Sequence, residues 1–334
     1  MSFKKKLVTL LFVLLWVAAC EQNRNAGIER LVSEPPATPK TTVPEAQPSG
    51  PEVALILKTV GNPFFAQVEQ GAREAESQLG LQVQVKAVAT ETAVEQQIAL
   101  VEEAIQAEVD AIVIAPMSAT ELVPPLAKAQ QAGILVINID DRLDPIRSQE
   151  EGLLDVPYVG VDNEQGAYLA AKFLADRIGQ PTQVAILEGA PEASNAQART
   201  AGALRAFQEN RYIHVVATET AHWKIDEAYQ VIGSLYEAYP EIGAVFSAND
   251  MMALGVLKYL EETGRSDVLV AGYDALDEAR EAVRQGKLLV TVDQQAARQG
   301  YLGVEYAWRG LQGEELPEET LIDIRLVTQE NVDQ

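Results

Sequence analysis

Short apolar runs recur along most of this chain, each closed by a polar residue and followed by a helical pattern. The runs are VALIL from Val53, LQVQVKAV from Leu81, AIVIA from Ala111, ILVINI from Ile134, YVGV from Tyr158 and QVAIL from Gln183. They continue with IHVVA from Ile213, GAVFS from Gly243, VLVAG from Val268, LLVTV from Leu288 and LIDIRLV from Leu321. Near-continuous apolar runs of this length read as strands buried on both faces. Between them, apolar residues spaced by three and four predict helices, among them 65–79, 94–107, 163–178, 196–210, 226–239 and 251–263. Strand and helix in alternation imply parallel strands with crossover helices. So many strands exceed what one open sheet comfortably holds. The clearest break is the stretch 142–157, with its charges, Pro145, Gly152 and Pro157. The expected fold is therefore α/β, two doubly wound parallel-sheet domains, the second beginning near Tyr158. The final helix, after Gln294, is expected to return to the first. In residues, the N-terminal lobe would be 52–160 with 295–323, and the C-terminal lobe 161–294 with 324–330.

The first fifty residues follow a different pattern. Lys4, Lys5 and Lys6 precede an apolar stretch from Leu7 to Val17, then Ala18, Ala19 and Cys20. That order is a secretory signal, too short to span a bilayer as a mature helix. Val17-Ala18-Ala19-Cys20 resembles the lipobox of bacterial lipoproteins, in which the cysteine is acylated and becomes the new N-terminus. Cys20 is the single cysteine, so no internal disulfide can form; the alternative is an ordinary signal peptide with an incidental cysteine. Residues 21–51, rich in Pro, Thr, Ser, Glu and Gln, read as a disordered spacer. The expected organisation is a signal peptide with lipobox at 1–20, a tether, and an extracytoplasmic body held to the membrane by lipid alone. A net charge of −23 argues against a nucleic-acid partner, which would favour a basic face.

Candidate chemistry sits where the strands end. Lys58 closes the first run, and Asn62-Pro63 is a helix-entry pair followed at once by Phe64 and Phe65. Adjacent helical residues point about 100° apart, so one of the two rings is expected to face the crevice beyond the strand ends, where open parallel sheets bind ligands. Asp140 and Asp141 follow the fourth run, His222 and Trp223 the seventh, Asn249 and Asp250 the eighth, Asp274 the ninth and Gln294 the tenth. Amides, carboxylates, a cation and aromatic plates converging on one cleft suit a neutral polyhydroxy compound. Each residue also has a plainer reading. Asn62, Asn163 and Asn249 fit helix N-caps, Asp140 and Asp274 could close turns, both phenylalanines could be core, and His222 fits a surface position.

The segments KTVGNPFF, VINIDD, ASNAQARTAG, FSANDMMALG, VAGYDALDEA and TVDQQAARQG resemble those of bacterial periplasmic sugar-binding proteins of the ribose-binding type. The resemblance runs from about Val53 to Thr328, and LKTVGNPFF with IAPMSATELVPPLAKA is most similar to the allose-binding branch. It implies a type I periplasmic binding protein whose lobes, joined by a hinge, close on the ligand and exclude water. It also implies that Lys58, Asn62, Asp140, Arg199, Asn249, Asp274 and Gln294 hydrogen-bond a monosaccharide, and that Phe64 or Phe65, Trp223 and Tyr273 sandwich it. Lys58, Asp140, Arg199 and Asp274 would balance one another in charge. Two positions depart from the ribose type: Ala115-Pro116 replaces an asparagine, and Asp141 stands in place of an arginine, leaving the sugar open. The calcium loop of galactose-binding relatives is absent from the sequence, so neither metal nor cofactor is expected.

Four function classes can be set side by side. A lipid-anchored, monomeric receptor handing a sugar to the permease of an ABC transporter fits every feature. A sensor lipoprotein presenting the ligand to a membrane receptor would have the same sequence signals. A transcription regulator with this two-domain body would need a helix-turn-helix header, and a signal peptide stands in its place. An enzyme would show a GxSxG, HExxH, Walker or GxGxxG signature in a strand–turn–helix context; none is present, and two histidines leave little general-base chemistry.

Overall fold

Val53, Leu55 and Leu57 face one side of the first strand, Ala54 and Ile56 the other, and all five are buried. That strand, β1 (Glu52–Leu57), therefore lies inside a sheet covered on both faces. The computed structural model describes residues 50–89 and 93–334. The expected signal peptide, Cys20 and nearly all of the spacer lie outside the described residues. Gly50 and Pro51, placed in the spacer by sequence, bond to the body: the Pro51 carbonyl accepts from Gln82 N at 2.9 Å and that of Gly50 from the Gln82 side chain at 3.3 Å.

The first sheet joins β1 to β2 (Gln82–Ala87), β3 (Ala111–Ile114), β4 (Leu135–Ile139), β5 (Tyr158–Gly160) and β11 (Glu319–Leu321) in the order β11-β5-β4-β3-β1-β2, all parallel. On one face it packs α1 (Pro63–Leu79) and α10 (Ala296–Leu311), on the other α2 (Val94–Gln106) and α3 (Val123–Gln131). The second sheet is β7 (Ile213–Thr220), β6 (Thr182–Glu188), β8 (Ile242–Ser247) and β9 (Leu269–Ala271) in that spatial order, also parallel. Its helices are α5 (Asn163–Ala175), α6 (Ser194–Gln208), α7 (Ile225–Ala238), α8 (Asp250–Glu262) and α9 (Asp277–Arg284), with α5 packed on α6 and α7 on α8. A short antiparallel ribbon pairs β10 (Thr291–Asp293) with β12 (Arg325–Val327). The two sheets make the two lobes of an α/β fold, and α10 packs with α1 on the first sheet.

Three corrections concern boundaries. The stretch 142–157 is no interdomain break: it holds α4 (Pro145–Glu151), capped by the Asp144 carboxylate, which accepts from Arg147 N at 2.7 Å. It leads into β5, which pairs with β4, so the chain leaves the first sheet after Gly160, not before Tyr158. The run from Leu321 is not one strand, since β11 ends in the first sheet and β12 begins in the ribbon. The run from Leu288 is a strand only over Thr291–Asp293, Val290 forming an isolated bridge with Ala271. The three crossings between lobes are cross-bonded: Ile322 N donates to the Gly160 carbonyl at 2.8 Å, and the Gln295 carboxamide to that of Asp323 at 2.5 Å.

Candidate ligand-binding site

The carboxyl ends of both sheets open on one small cavity, with about 20 Å³ of room for the centre of a water-sized sphere. It is lined by Lys58, Asn62, Phe64, Phe65 and Asp140 from the first lobe, and by Asn195, Arg199, Trp223, Asn249, Asp274 and Gln294 from the second side and its crossing. Every one of these side chains is buried, so the lobes are closed over the space.

On the first lobe, Lys58 at the end of β1 points its ammonium at the end of β4, 3.0 Å from Asp140 Oδ2 and 3.4 Å from Asp141 Oδ2. Asp140 takes a left-handed backbone, φ 63°. Two neighbours hold that turn: Tyr158 donates its hydroxyl to the Asp140 carbonyl at 2.9 Å, and the Asn138 carboxamide donates to the Asp141 carbonyl at 2.7 Å. Burial raises the Tyr158 phenol well above its ordinary pKa, which keeps this donor protonated. Asn62 is the N-cap of α1, accepting from Phe64 N at 3.0 Å, and it also forms part of the cavity wall. Capping and lining are thus one residue's two jobs. Both phenylalanines line the cavity, packed edge to face at 5.1 Å and 82°.

On the second lobe, Arg199 rises from α6 and is held on three sides. Its Nε donates to Asn163 Oδ1 at 2.8 Å, one terminal nitrogen donates to the Ala248 carbonyl at 2.8 Å, and the same nitrogen lies 3.5 Å from Asp274 Oδ1. Asn163 is therefore not the N-cap of α5; Asp162 is, accepting from Gln165 N at 2.8 Å. Gln294 donates to Asp274 Oδ1 at 2.6 Å. Asn249 caps α8 through Met252 N at 2.9 Å and donates to the Trp223 carbonyl at 3.4 Å. The Trp223 indole lies flat on the chain at Gly189, where an added Cβ would meet the ring at 2.0 Å. His222, paired with Glu227 at 2.6 Å, stays outside. Non-glycine residues with left-handed backbone gather around this cleft and its crossings, namely Asp140, His222, Trp223, Asp274, Ala275 and Gln295. Such conformations cost on the order of 1–3 kcal/mol each and persist where the surroundings over-determine them.

A family profile described as a periplasmic binding protein domain matches residues 53–315. The chain belongs to the periplasmic binding protein family. It is 35% identical over 279 residues to a D-ribose/D-allose-binding protein of Pseudomonas aeruginosa, covering 83% of this chain and 87% of the relative. It is 32% identical over 286 residues to a D-allose-binding periplasmic protein of Escherichia coli, covering 83% and 92%. Among solved structures, an ABC transporter periplasmic solute binding protein from Actinobacillus succinogenes with bound D-allose superposes with a TM-score of 0.81 at 39% identity, covering 85% of this chain and 99% of that one. These relatives are binding proteins, not enzymes, and the two-lobed fold here is theirs.

Three features of this binding protein differ from the sequence-based expectation. Tyr273 does not reach the cavity. Its ring is fully buried behind Arg199, whose guanidinium stacks on it at 3.7 Å, and it lies against α5 where Gly166 leaves room for it. Its role is to support the cation. Asn195, not anticipated, lines the cavity with its Oδ1 buried and without a hydrogen-bond partner in the protein; its place at the start of the helix in ASNAQARTAG was the available signal. Charge balance, too, does not stop at four residues. Among the described residues the buried charged side chains are Lys58, Arg199, Asp140, Asp141, Asp250 and Asp274, four acids against two cations. The two additional acids sit at helix N-termini, where backbone N–H groups carry partial positive charge. Asp141 accepts from Asn195 N at 2.9 Å at the start of α6, and Asp250 is the first residue of α8. Burial still pushes the carboxyls of Asp141 and Asp274 above the ordinary range, and that of Asp250 up to about 7.

Proposed function

We propose that this protein is an extracytoplasmic, lipid-anchored receptor that captures one neutral monosaccharide of the ribose or allose class between its lobes and delivers it to an ABC permease. The observation that carries the reading is the closed cavity lined from both lobes, with two cations, two carboxylates and amides around three aromatic rings. Ring hydroxyls can donate to Asp140 and Asp274 and accept from Lys58, Arg199, Asn62, Asn249 and Gln294, while Phe64, Phe65 and Trp223 cover the C–H faces. The excess of buried carboxylates disfavours sugar acids. The names of the relatives support the sugar class, and the transporter partner follows from the same resemblance. The lobes are assigned as 52–160 with 295–323 and 161–294 with 324–330, and Cys20 as the acylated N-terminus of a monomer.

The test is a thermal-shift screen of pentoses, hexoses, inositols, polyols and uronic acids. A ligand at about a hundred times its Kd adds roughly 2.7 kcal/mol to the folded state, a readily measured rise in Tm. D-Allose or D-ribose, or a close epimer, should give that rise, and uronic acids should not. A screen in which no neutral sugar or polyol moves Tm would overturn the reading.

A further inference from the structure

Asp141 is fully buried, yet it does not line the cavity. Its two oxygens face different lobes. Oδ2 lies 3.4 Å from the Lys58 ammonium in its own lobe. Oδ1 accepts the Ser194 hydroxyl and, at 2.9 Å, Asn195 N, the first two residues of α6 in the other lobe. The Ser194 hydroxyl is also 3.2 Å from the Arg142 carbonyl, and close by Ala119 N meets the Glu192 carbonyl at 3.5 Å. The bonds of Oδ1 exist only while the lobes are shut. The helix they hold is the one that presents Asn195 and Arg199 to the cavity, and the ammonium at Oδ2 belongs to Lys58.

We propose that Asp141 is the latch of lobe closure and a positioning residue for the site: one carboxylate ties the placement of Lys58 to the docking of α6, so that closure and assembly of the polar wall are a single event. The sugar-handling part rests on the function proposed above; the latch itself does not. A hydrogen bond to a charged group contributes about 1.5–3 kcal/mol, tenfold or more in an equilibrium constant. Removing Asp141 should therefore lower the closed-to-open ratio about tenfold.

A disulfide trap reads that ratio without any ligand. In the full-length chain carrying Cys20→Ser, the pair Ala119→Cys and Glu192→Cys brings two thiols together across the closed interface. Under mild oxidation and without sugar, cross-linking should be about tenfold slower in Asp141→Ala, and slower by a smaller factor in Ser194→Ala, which keeps the carboxylate. Should Asp141→Ala fail to fold, as its melting curve would reveal, Ser194→Ala decides alone. Equal cross-linking rates in parent and variants would overturn the proposal, even if Asp141→Ala melted lower. In a second arm, D-allose should leave Asp141→Ala about tenfold faster than the parent with little change in association rate. If the parent bound none of the screened sugars, the proposed function would fail while the cross-linking arm still judged the latch.

Discussion

Replacing Asp274 by Asn should weaken ligand binding and leave the fold as stable as before, or more so. Asp274 is buried, held by the Gln294 carboxamide at 2.6 Å and by Arg199 at 3.5 Å. It does not close the turn that follows, because Leu276 N donates to Asp250 Oδ2 at 2.9 Å and Ala275 N to the Thr291 hydroxyl at 3.1 Å. Burial raises its pKa well above the ordinary carboxylate range, with Arg199 only partly offsetting, so ionised Asp274 costs the folded state free energy at neutral pH. Asn keeps the shape and an acceptor for Gln294, and it moves the buried cluster from four acids against two cations toward balance. Arg199 retains Asn163, the Ala248 carbonyl and the Tyr273 ring. A bound hydroxyl, in contrast, loses a charged acceptor, about 1.5–3 kcal/mol or a 10- to 150-fold rise in Kd. Calorimetric titration with the sugar found in the screen, beside a melting curve at the same pH, measures both. Wild-type affinity together with a lowered Tm would refute this reasoning and make Asp274 a structural residue.

Three further outcomes follow from the same geometry. Trp223→Ala removes the plate resting on Gly189 and should cost about 1–3 kcal/mol of binding; titration calorimetry checks it, and undiminished affinity would place the ring outside the contact. Stability should also depend on pH through Asp250: its folded pKa near 7 exceeds the ordinary value, so the folded state holds the extra proton. Its contribution is therefore greatest below about pH 4 and declines as pH rises toward 7. Asp250→Asn should flatten that part of a Tm-against-pH curve, and an unchanged slope would count against it. Finally, Cys20→Ser should move the protein from the membrane fraction to the soluble fraction of a bacterial host, whereas unchanged membrane association would exclude acylation as its anchor.

Much of the fold and most of the cavity could be read from sequence because the signals were local. A strand end, an N-cap and an aromatic pair fall within the short stretch from Lys58 to Phe65, and Asn249 and Asp274 come within three residues of the ends of β8 and β9. Tyr273 is not legible in the sequence because a residue just past a strand can turn to either face, and the room at Gly166 that decides it comes from a helix about a hundred residues earlier. Asn195 was overlooked because it lies inside a helix start rather than at a strand end. The helix Pro145–Glu151 was hidden by its length, although Asp144 and Pro145 are an entry pair. Splitting of the run from Leu321 depends on partners far away in the chain, β5 on one side and β10 on the other. The excess of buried carboxylates depends on tertiary packing: Asp141 meets the N-terminus of α6 across the lobes, and Asp250 is buried as the first residue of α8.

The most direct test is a crystal structure of the protein grown with the tightest-binding monosaccharide of the screen. The account expects one sugar ring in the cavity between Lys58, Asp140, Arg199 and Asp274, with Trp223 against its face and Asn195 Oδ1 accepting a hydroxyl. A sugar bound elsewhere on the surface with this cavity filled by water alone would contradict it.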